Sequence, residues 1–305
     1  MRKLDRASVK IPPSLANPHA AVSAEKTEAV SYYGARTPWT ATYSSFSFKH
    51  YKARDVKAAL RQLAGGNCAY CESKIGAVGA REVEHYRPKG GIDGTANHPG
   101  YWWLAHNWNN LLPTCRDCNK SLRQHIVAPG MTRAQVEDIL SRTPKGNYGK
   151  ATQFAIRGVR AVSDSCSLEA EDPLLIDPCR RDPGNELRWD FSTELTLIEP
   201  KEVEINRPSL YGEYTIKTCG LNRAELVLDR IPTLRPMRTL RTHIINRLNQ
   251  WDGSQVDLDD IMKEVEVLTA HAHPEQPYAG MAAAYIRDFE EELNRWRAER
   301  GFPTF

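Results

Sequence analysis

The sequence predicts an α+β fold in which a four-cysteine metal clamp holds a small strand-bearing element inside a mostly helical frame. Three observations predict it. Two CxxC pairs, Cys68/Cys71 and Cys115/Cys118, stand far apart yet together make one tetrahedral sulfur set. Between them "REVEHYRPK" alternates as a strand does, with Val83 and His85 on one side and Glu82, Glu84 and Tyr86 on the other, until Pro88 ends the run. Beyond them, apolar residues recur at helical spacing almost to the end of the chain.

Taken in order, residues 1–50 are rich in Ala, Ser, Pro and Thr without sustained periodicity and are expected to form an arm or loop. From Tyr51 the pattern changes. Tyr51, Val56, Ala59, Leu60 and Leu63 share one helical face, which Gly65 and Gly66 terminate. The clamped core follows and occupies the rest of residues 51–130, with a helix expected to start at the second knuckle, "CNKSLRQH". Residues 131–305 are expected to be mixed and mainly helical. There "MTRAQVEDILSRTP" reads as a short helix whose Thr132 and Gln135 fit a capping box. Strand-like runs surround Leu187 and Leu195. Three helical stripes follow: Met237 to Trp251, Val256 to about Ala270, and Ala279 to about Arg300. Stripes of this kind are cores or partner-facing surfaces rather than cofactor sites.

Composition narrows the class. The formal net charge of +3 does not announce a nucleic-acid binder, so any basic surface must be local. No apolar run approaches the ~18 residues of a membrane span. The N-terminus is basic but lacks an apolar h-region, so a cytoplasmic protein without a membrane partner is expected. In that compartment close cysteine pairs read as metal or redox sites rather than disulfides. A set of four thiolates is a closed site with no position for water, hence structural zinc; a redox CxxC is the competing reading. Cys166, Cys179 and Cys219 lack such spacing and read as ordinary residues.

The element inside the clamp has residues suited to hydrolysis. A neutral imidazole at His85 suits removal of a proton from water. Glu84 and Asn119 supply a carboxylate and an amide oxygen for a hard divalent ion, Mg²⁺ or Mn²⁺, which stabilises the leaving oxygen of a phosphodiester. Arg87, Lys89, Lys120 and Arg123 flank these positions as candidate phosphate contacts, although seven Lys/Arg against five Asp/Glu between Cys68 and His125 make the local field only mildly basic. Tyr101, Trp102, Trp103 and Trp108 read as packing before base stacking.

The order of strand and His, loop, Asn, strand, then helix and Asn resembles the HNH endonuclease signature and its ββα-metal core. The four cysteines, "EH", "NNLL" and "CxxCN" carry the likeness together. The resemblance implies His85 as general base, Glu84 and Asn119 as metal ligands, and Asn110 as the residue bracing the loop and the base. The family more often has Asp where Glu84 stands. More closely, "NCAYCE", "VEHYRPK", "HPGYWWLAHNWNNLLPTCRDCN", "EDPLLIDP" and "YTIKTCGLNRAEL" look like the HNH proteins of retron and Septu antiphage systems. That likeness implies a metal-dependent endonuclease, acting on DNA with RNA as the other candidate, regulated by an ABC/SMC-like ATPase partner and, in a retron, by a reverse transcriptase with its msDNA. A catalytically silent zinc module that binds a partner or nucleic acid is the alternative, and a restriction enzyme acting alone a weaker third. After "CN" this sequence departs from the family's Lys-Gly step, which leaves His125 without a role; Glu171 in "EDPLLIDP" is a further candidate neighbour of the site.

Overall fold

A computed structural model describes residues 1–16, 20–76 and 82–301. Arg81, just before the "EVEH" strand, lies outside the described residues. The chain begins with α1 (Pro13–Ala16), α2 (Ala20–Gly34) and α3 (Arg54–Leu63). The segment expected as an arm or loop, residues 1–50, therefore contains a 15-residue helix, α2. Helix α2 buries Val22, Glu25, Ala29 and Tyr33 on one face, and Tyr33 stacks on Trp102 with ring centroids 4.7 Å apart. A face that includes a glutamate gives no apolar stripe, which is why periodicity missed it. Helix α3 buries Val56, Leu60 and Leu63 as expected and ends at Gly65 and Gly66, both at positive φ.

Strand β1 (Glu82–His85) pairs antiparallel with β2 (Leu111–Thr114), with Glu84 opposite Leu112 and His85 opposite Leu111. A one-turn helix, α4 (Arg116–Asn119), follows at once. The helix expected over "CNKSLRQH" instead lies earlier, within the second knuckle, and the chain leaves Asn119 as an extended segment. Strand β3 (Leu122–Gln124) pairs with β4 (Gly146–Tyr148), enclosing α5 (Arg133–Leu140). The capping box of Thr132 and Gln135 is present at the start of α5. This excursion closes on its own origin. Lys150 N–H donates to the Cys118 carbonyl at 2.8 Å and Ala151 N–H to that of Asn119 at 2.6 Å.

The remaining strands are short antiparallel pairs, β5 (Leu187–Asp190) with β6 (Leu197–Pro200) and β7 (Glu202–Glu204) with β8 (Arg207–Pro208). Helices α6 (Leu210–Cys219), α7 (Ala224–Gln250), α8 (Gln255–Ala270) and α9 (Ala279–Glu299) complete the frame. Helix α7 starts well before the stripe that marks it in sequence and carries Pro232 and Pro236 in its interior. Burial of Leu226, Val227, Ile231, Leu234 and Met237 along that stretch outweighs the backbone bonds the prolines forfeit. The main core joins α3, the cysteine knuckles, β2 and the C-terminal helices. Among the described residues no helix is long and apolar enough to cross a membrane.

Gly149, where the excursion closes, sits at φ +114° with the space for its Cβ only 1.9 Å from the Lys120 carbonyl oxygen. Gly149→Ala should therefore lower stability by at least ~1–3 kcal/mol, since backbone strain alone reaches that range. Equilibrium urea unfolding measures it, and a change within a few tenths of a kcal/mol would contradict the closure.

Candidate metal and catalytic site

The four cysteine sulfurs lie within 4.8 Å of one another. Sγ of Cys71 and Sγ of Cys115 are 3.7 Å apart. A zinc–sulfur bond of ~2.3 Å in a tetrahedron requires an edge of about 3.8 Å, so the set fits Zn²⁺. Local folding prepares each knuckle. Glu72, just past Cys71, adopts a left-handed conformation, φ 63°, and donates its N–H to the Cys68 carbonyl at 3.0 Å. Ala69 N–H bonds the Pro113 carbonyl at 2.8 Å and so ties the first knuckle to β2. Cys115 caps α4, its sulfur accepting from Cys118 N–H at 3.4 Å. Hydrogen bonding, first with Cys115 and then with Cys118 and Cys68, holds the Cys71 thiol well below the ordinary cysteine range, and the charge of Arg223 adds to this.

Arg223, which precedes α7, was not singled out by the sequence. Its guanidinium is buried and donates toward Cys118 Sγ at 3.6 Å and Cys115 Sγ at 3.9 Å. Four thiolates around Zn²⁺ leave two negative charges, and Arg223 offsets one of them. The C-terminal frame also covers the first knuckle. Ser73 Oγ lies 3.3 Å from Cys71 Sγ and 3.1 Å from the Tyr278 hydroxyl, and Gly280 N–H reaches the Glu72 carboxylate at 3.1 Å.

Strand β1 carries the second group of residues. His85 is only 5% exposed. Its Nε2 faces the Ala105 carbonyl at 3.0 Å. A carbonyl can only accept, so Nε2 carries the proton and Nδ1 keeps its lone pair. Burial, followed by the charge of Lys89, pushes the His85 pKa well below the ordinary histidine value, leaving a neutral ring. The Tyr51 ring stands edge-on to it at 4.5 Å. Asn110 exchanges two bonds with the Arg87 backbone, accepting from its N–H at 2.8 Å and donating to its carbonyl at 3.0 Å. A side-chain amide thus continues the β1–β2 ladder beyond the Tyr86–Asn110 backbone bond and holds the backbone two residues past His85.

Glu84 is buried and pairs with Lys150, whose Nζ lies 2.5 Å from Oε1. Burial pushes the Glu84 carboxyl up, and Lys150 pulls it back. Asn119 does not bond Glu84; its amide donates to Glu82, which also receives Lys120 at 3.2 Å. Glu82 lies on the same side of β1 as Glu84 and could supply a further carboxylate, a donor that the sequence pattern does not mark. Glu82, Glu84 and Asn119 offer hard oxygen donors suited to Mg²⁺ or Mn²⁺, and the two lysines show that positive charge is accommodated there. A cleft of about 920 Å³ opens over Glu82, Lys120, Arg116 and Cys115, with Asp229 of α7 in its wall.

The four candidate phosphate contacts separate. Lys89 is half-buried beside Tyr51, 5.3 Å from its ring, and its charge reaches His85. Lys120 lies at the rim with Glu82, and Arg123 is exposed on β3. Arg87 does not fit a phosphate contact. Its guanidinium is inside the protein, held by Glu171 at 2.7 Å, and Glu171 also accepts from the Tyr101 hydroxyl at 2.5 Å. Glu171 is thus a brace behind β1. Tyr101 and Trp108 are buried, in keeping with packing. His125 donates to the Arg142 carbonyl at 2.9 Å within the excursion, apart from these groups.

Fold and site define a protein in which a closed four-cysteine cluster with the geometry for a metal ion suspends a β-hairpin bearing His85 and two carboxylates. No protein-family model matches the chain. Septu protein PtuB of Bacillus mycoides strain KBAB4 is 30% identical over 269 residues, 82% of this chain and 79% of that protein. A second PtuB, from Bacillus thuringiensis, is 35% identical over 71 residues, 23% of this chain and 24% of that protein. Septu protein PtuA of the same Bacillus mycoides strain is 25% identical over 214 residues, 68% of this chain but 24% of PtuA. The chain belongs to the PtuB family of the Septu antiphage defence system.

Metal analysis of purified protein should return about one zinc per chain, and Cys115→Ser should lose it together with a large fall in Tm. Arg223→Met should weaken zinc retention against a chelator by roughly 10–100-fold, the usual effect of removing an outer-shell partner. Zinc bound equally tightly by the Arg223 variant would show that the guanidinium does not serve the cluster.

Proposed function

We propose that this protein is the nuclease effector of a Septu defence system, a metal-dependent HNH endonuclease that hydrolyses phosphodiesters, with DNA as the substrate. The observation that carries the reading is His85. It is a neutral imidazole with its Nε2 proton committed to a carbonyl and its Nδ1 lone pair retained, on the strand that carries Glu82 and Glu84. Such a ring is suited to take a proton from water. Asn110 fixes the backbone behind it. Glu82, Glu84 and Asn119 would hold Mg²⁺ or Mn²⁺, and the bound ion would supply charge stabilisation for the leaving oxygen. Lys89, Lys120 and Arg123 are assigned to the substrate backbone, where they act through charge rather than base recognition.

Zinc in a closed sulfur site has no position for water and is assigned a structural role. The likeness of the chain to both PtuB and PtuA supports action within a Septu assembly, whose second component we take to be an ABC/SMC-like ATPase. One observation favours the alternative of a catalytically silent binding module. His85 and Glu84 are both buried, and Lys150 already holds the carboxylate of Glu84. A nicking assay on purified protein, with and without the ATPase, separates the two.

With Mg²⁺ or Mn²⁺ present, wild-type protein should cut DNA. His85→Ala and Asn119→Ala should each lower cleavage at least 100-fold, in line with loss of general-base or metal assistance. Both variants should keep zinc, and His125→Ala should remain active. An active His85→Ala beside an inactive His125→Ala would mean the base is misassigned. A combined Lys89, Lys120 and Arg123 to Ala variant should weaken binding to all sequences alike and flatten its salt dependence. Loss confined to one sequence would mark these side chains as base readers.

A further inference from the structure

Lys150 lies at the centre of the site without a role in the sequence signature. Its side chain is 0% exposed. Its ammonium donates to Glu84 Oε1 at 2.5 Å and to the His85 carbonyl at 2.9 Å, 65 residues back in the chain. Its backbone is anchored separately, with Lys150 N–H on the Cys118 carbonyl and the next N–H on that of Asn119. One residue therefore touches the carboxylate beside the base, the backbone of the base and the end of the zinc-held helix that carries Asn119. The β3–α5–β4 excursion leaves that helix end and returns to it, and the return delivers Lys150.

A buried ion pair is weak evidence for stability, because desolvating both charges offsets much of their attraction. Packing alone would be met by an apolar pair of similar volume. What an apolar pair cannot do is hold a carboxylate at a set angle while donating to a carbonyl one residue on. Ligating carboxylates are commonly held in this way by a hydrogen-bonding neighbour.

We propose that Lys150 is a positioning residue of the nuclease site. It holds one oxygen of Glu84, leaves the other for a divalent ion, and fixes the backbone of His85 relative to Asn119. This inference rests on the nuclease reading above. It assigns the excursion a purpose: its return places a cation against β1.

The test uses full-length, zinc-loaded protein. Mn²⁺ binding is followed by electron paramagnetic resonance, and cleavage of labelled duplex is measured across Mn²⁺ and substrate concentrations. Lys150→Met should bind Mn²⁺ about 10–100-fold more weakly and lose a comparable factor in kcat, with KM for DNA little changed. Zinc content and Tm are read in parallel. Lys150→Gln retains an amide donor in the same space, and it carries the test if the Met variant does not fold; it should be impaired in the same two readouts. A folded Lys150 variant that binds Mn²⁺ and cleaves as wild type does would overturn the proposal. Wild-type protein that neither binds Mn²⁺ nor cleaves would overturn the nuclease reading itself, a separate outcome.

Discussion

The four-sulfur cluster is the constraint on which the rest of this structure depends. Cys71 and Cys115 are 44 positions apart, and closing that span brings the end of α3, the β1–β2 hairpin and α4 to one point. Each segment is too short to be stable alone. Strands β1 and β2 pair over only four residues, and α4 is a single turn. Their geometry must come from outside, and it comes from both sides of the cluster. The first knuckle bonds β2 through Ala69 and Pro113, while the second knuckle is itself the start of α4.

The frame in turn protects the cluster. Arg223 brings positive charge to two of the sulfurs, and the turn before α9 covers Cys71 through Ser73 and Tyr278. The same principle governs the hairpin and the loop behind it, where four buried charged or ionisable side chains find partners. Arg87 has Glu171, Glu84 has Lys150, His85 has Ala105, and His106 has Glu25 at 2.7 Å. Glu25 also accepts from the N–H groups of Lys49 and His50, so α2 is fastened to the loop that holds His85 in place. An unpaired buried charge would cost several kcal/mol, so these partners set which strand conformations are allowed. Positioning of His85 is thus shared by residues from the start and the middle of the chain.

Legibility in the sequence followed the range of the interaction. Local chemistry was readable: the cysteine spacing, the alternation of β1, the glycine stop after α3, the capping box of α5 and the boundaries of α8 and α9. Asn110 was placed by its resemblance to a known signature, and its side chain makes two bonds to the Arg87 backbone. Long-range chemistry was not readable. Arg223 and Lys150 meet the cysteines and Glu84 from more than 60 residues away, and nothing in their neighbours marks them. Arg87 illustrates the reverse. Its flanking position suggested a phosphate, but Glu171, over 80 residues on, claims its guanidinium. The N-terminal helix was missed because Glu25 interrupts its buried face, and the first half of α7 because prolines ordinarily end helices.

We propose that one clamp holds two metal sites of opposite character, a closed sulfur site and an open oxygen site on the hairpin it suspends. Anomalous diffraction from a crystal of zinc-loaded protein soaked in Mn²⁺ tests it most directly. The account predicts a zinc peak inside the four sulfurs and a separate manganese peak among Glu82, Glu84 and Asn119. Manganese at the cysteines, or no manganese at the carboxylates at saturating concentration, would contradict it.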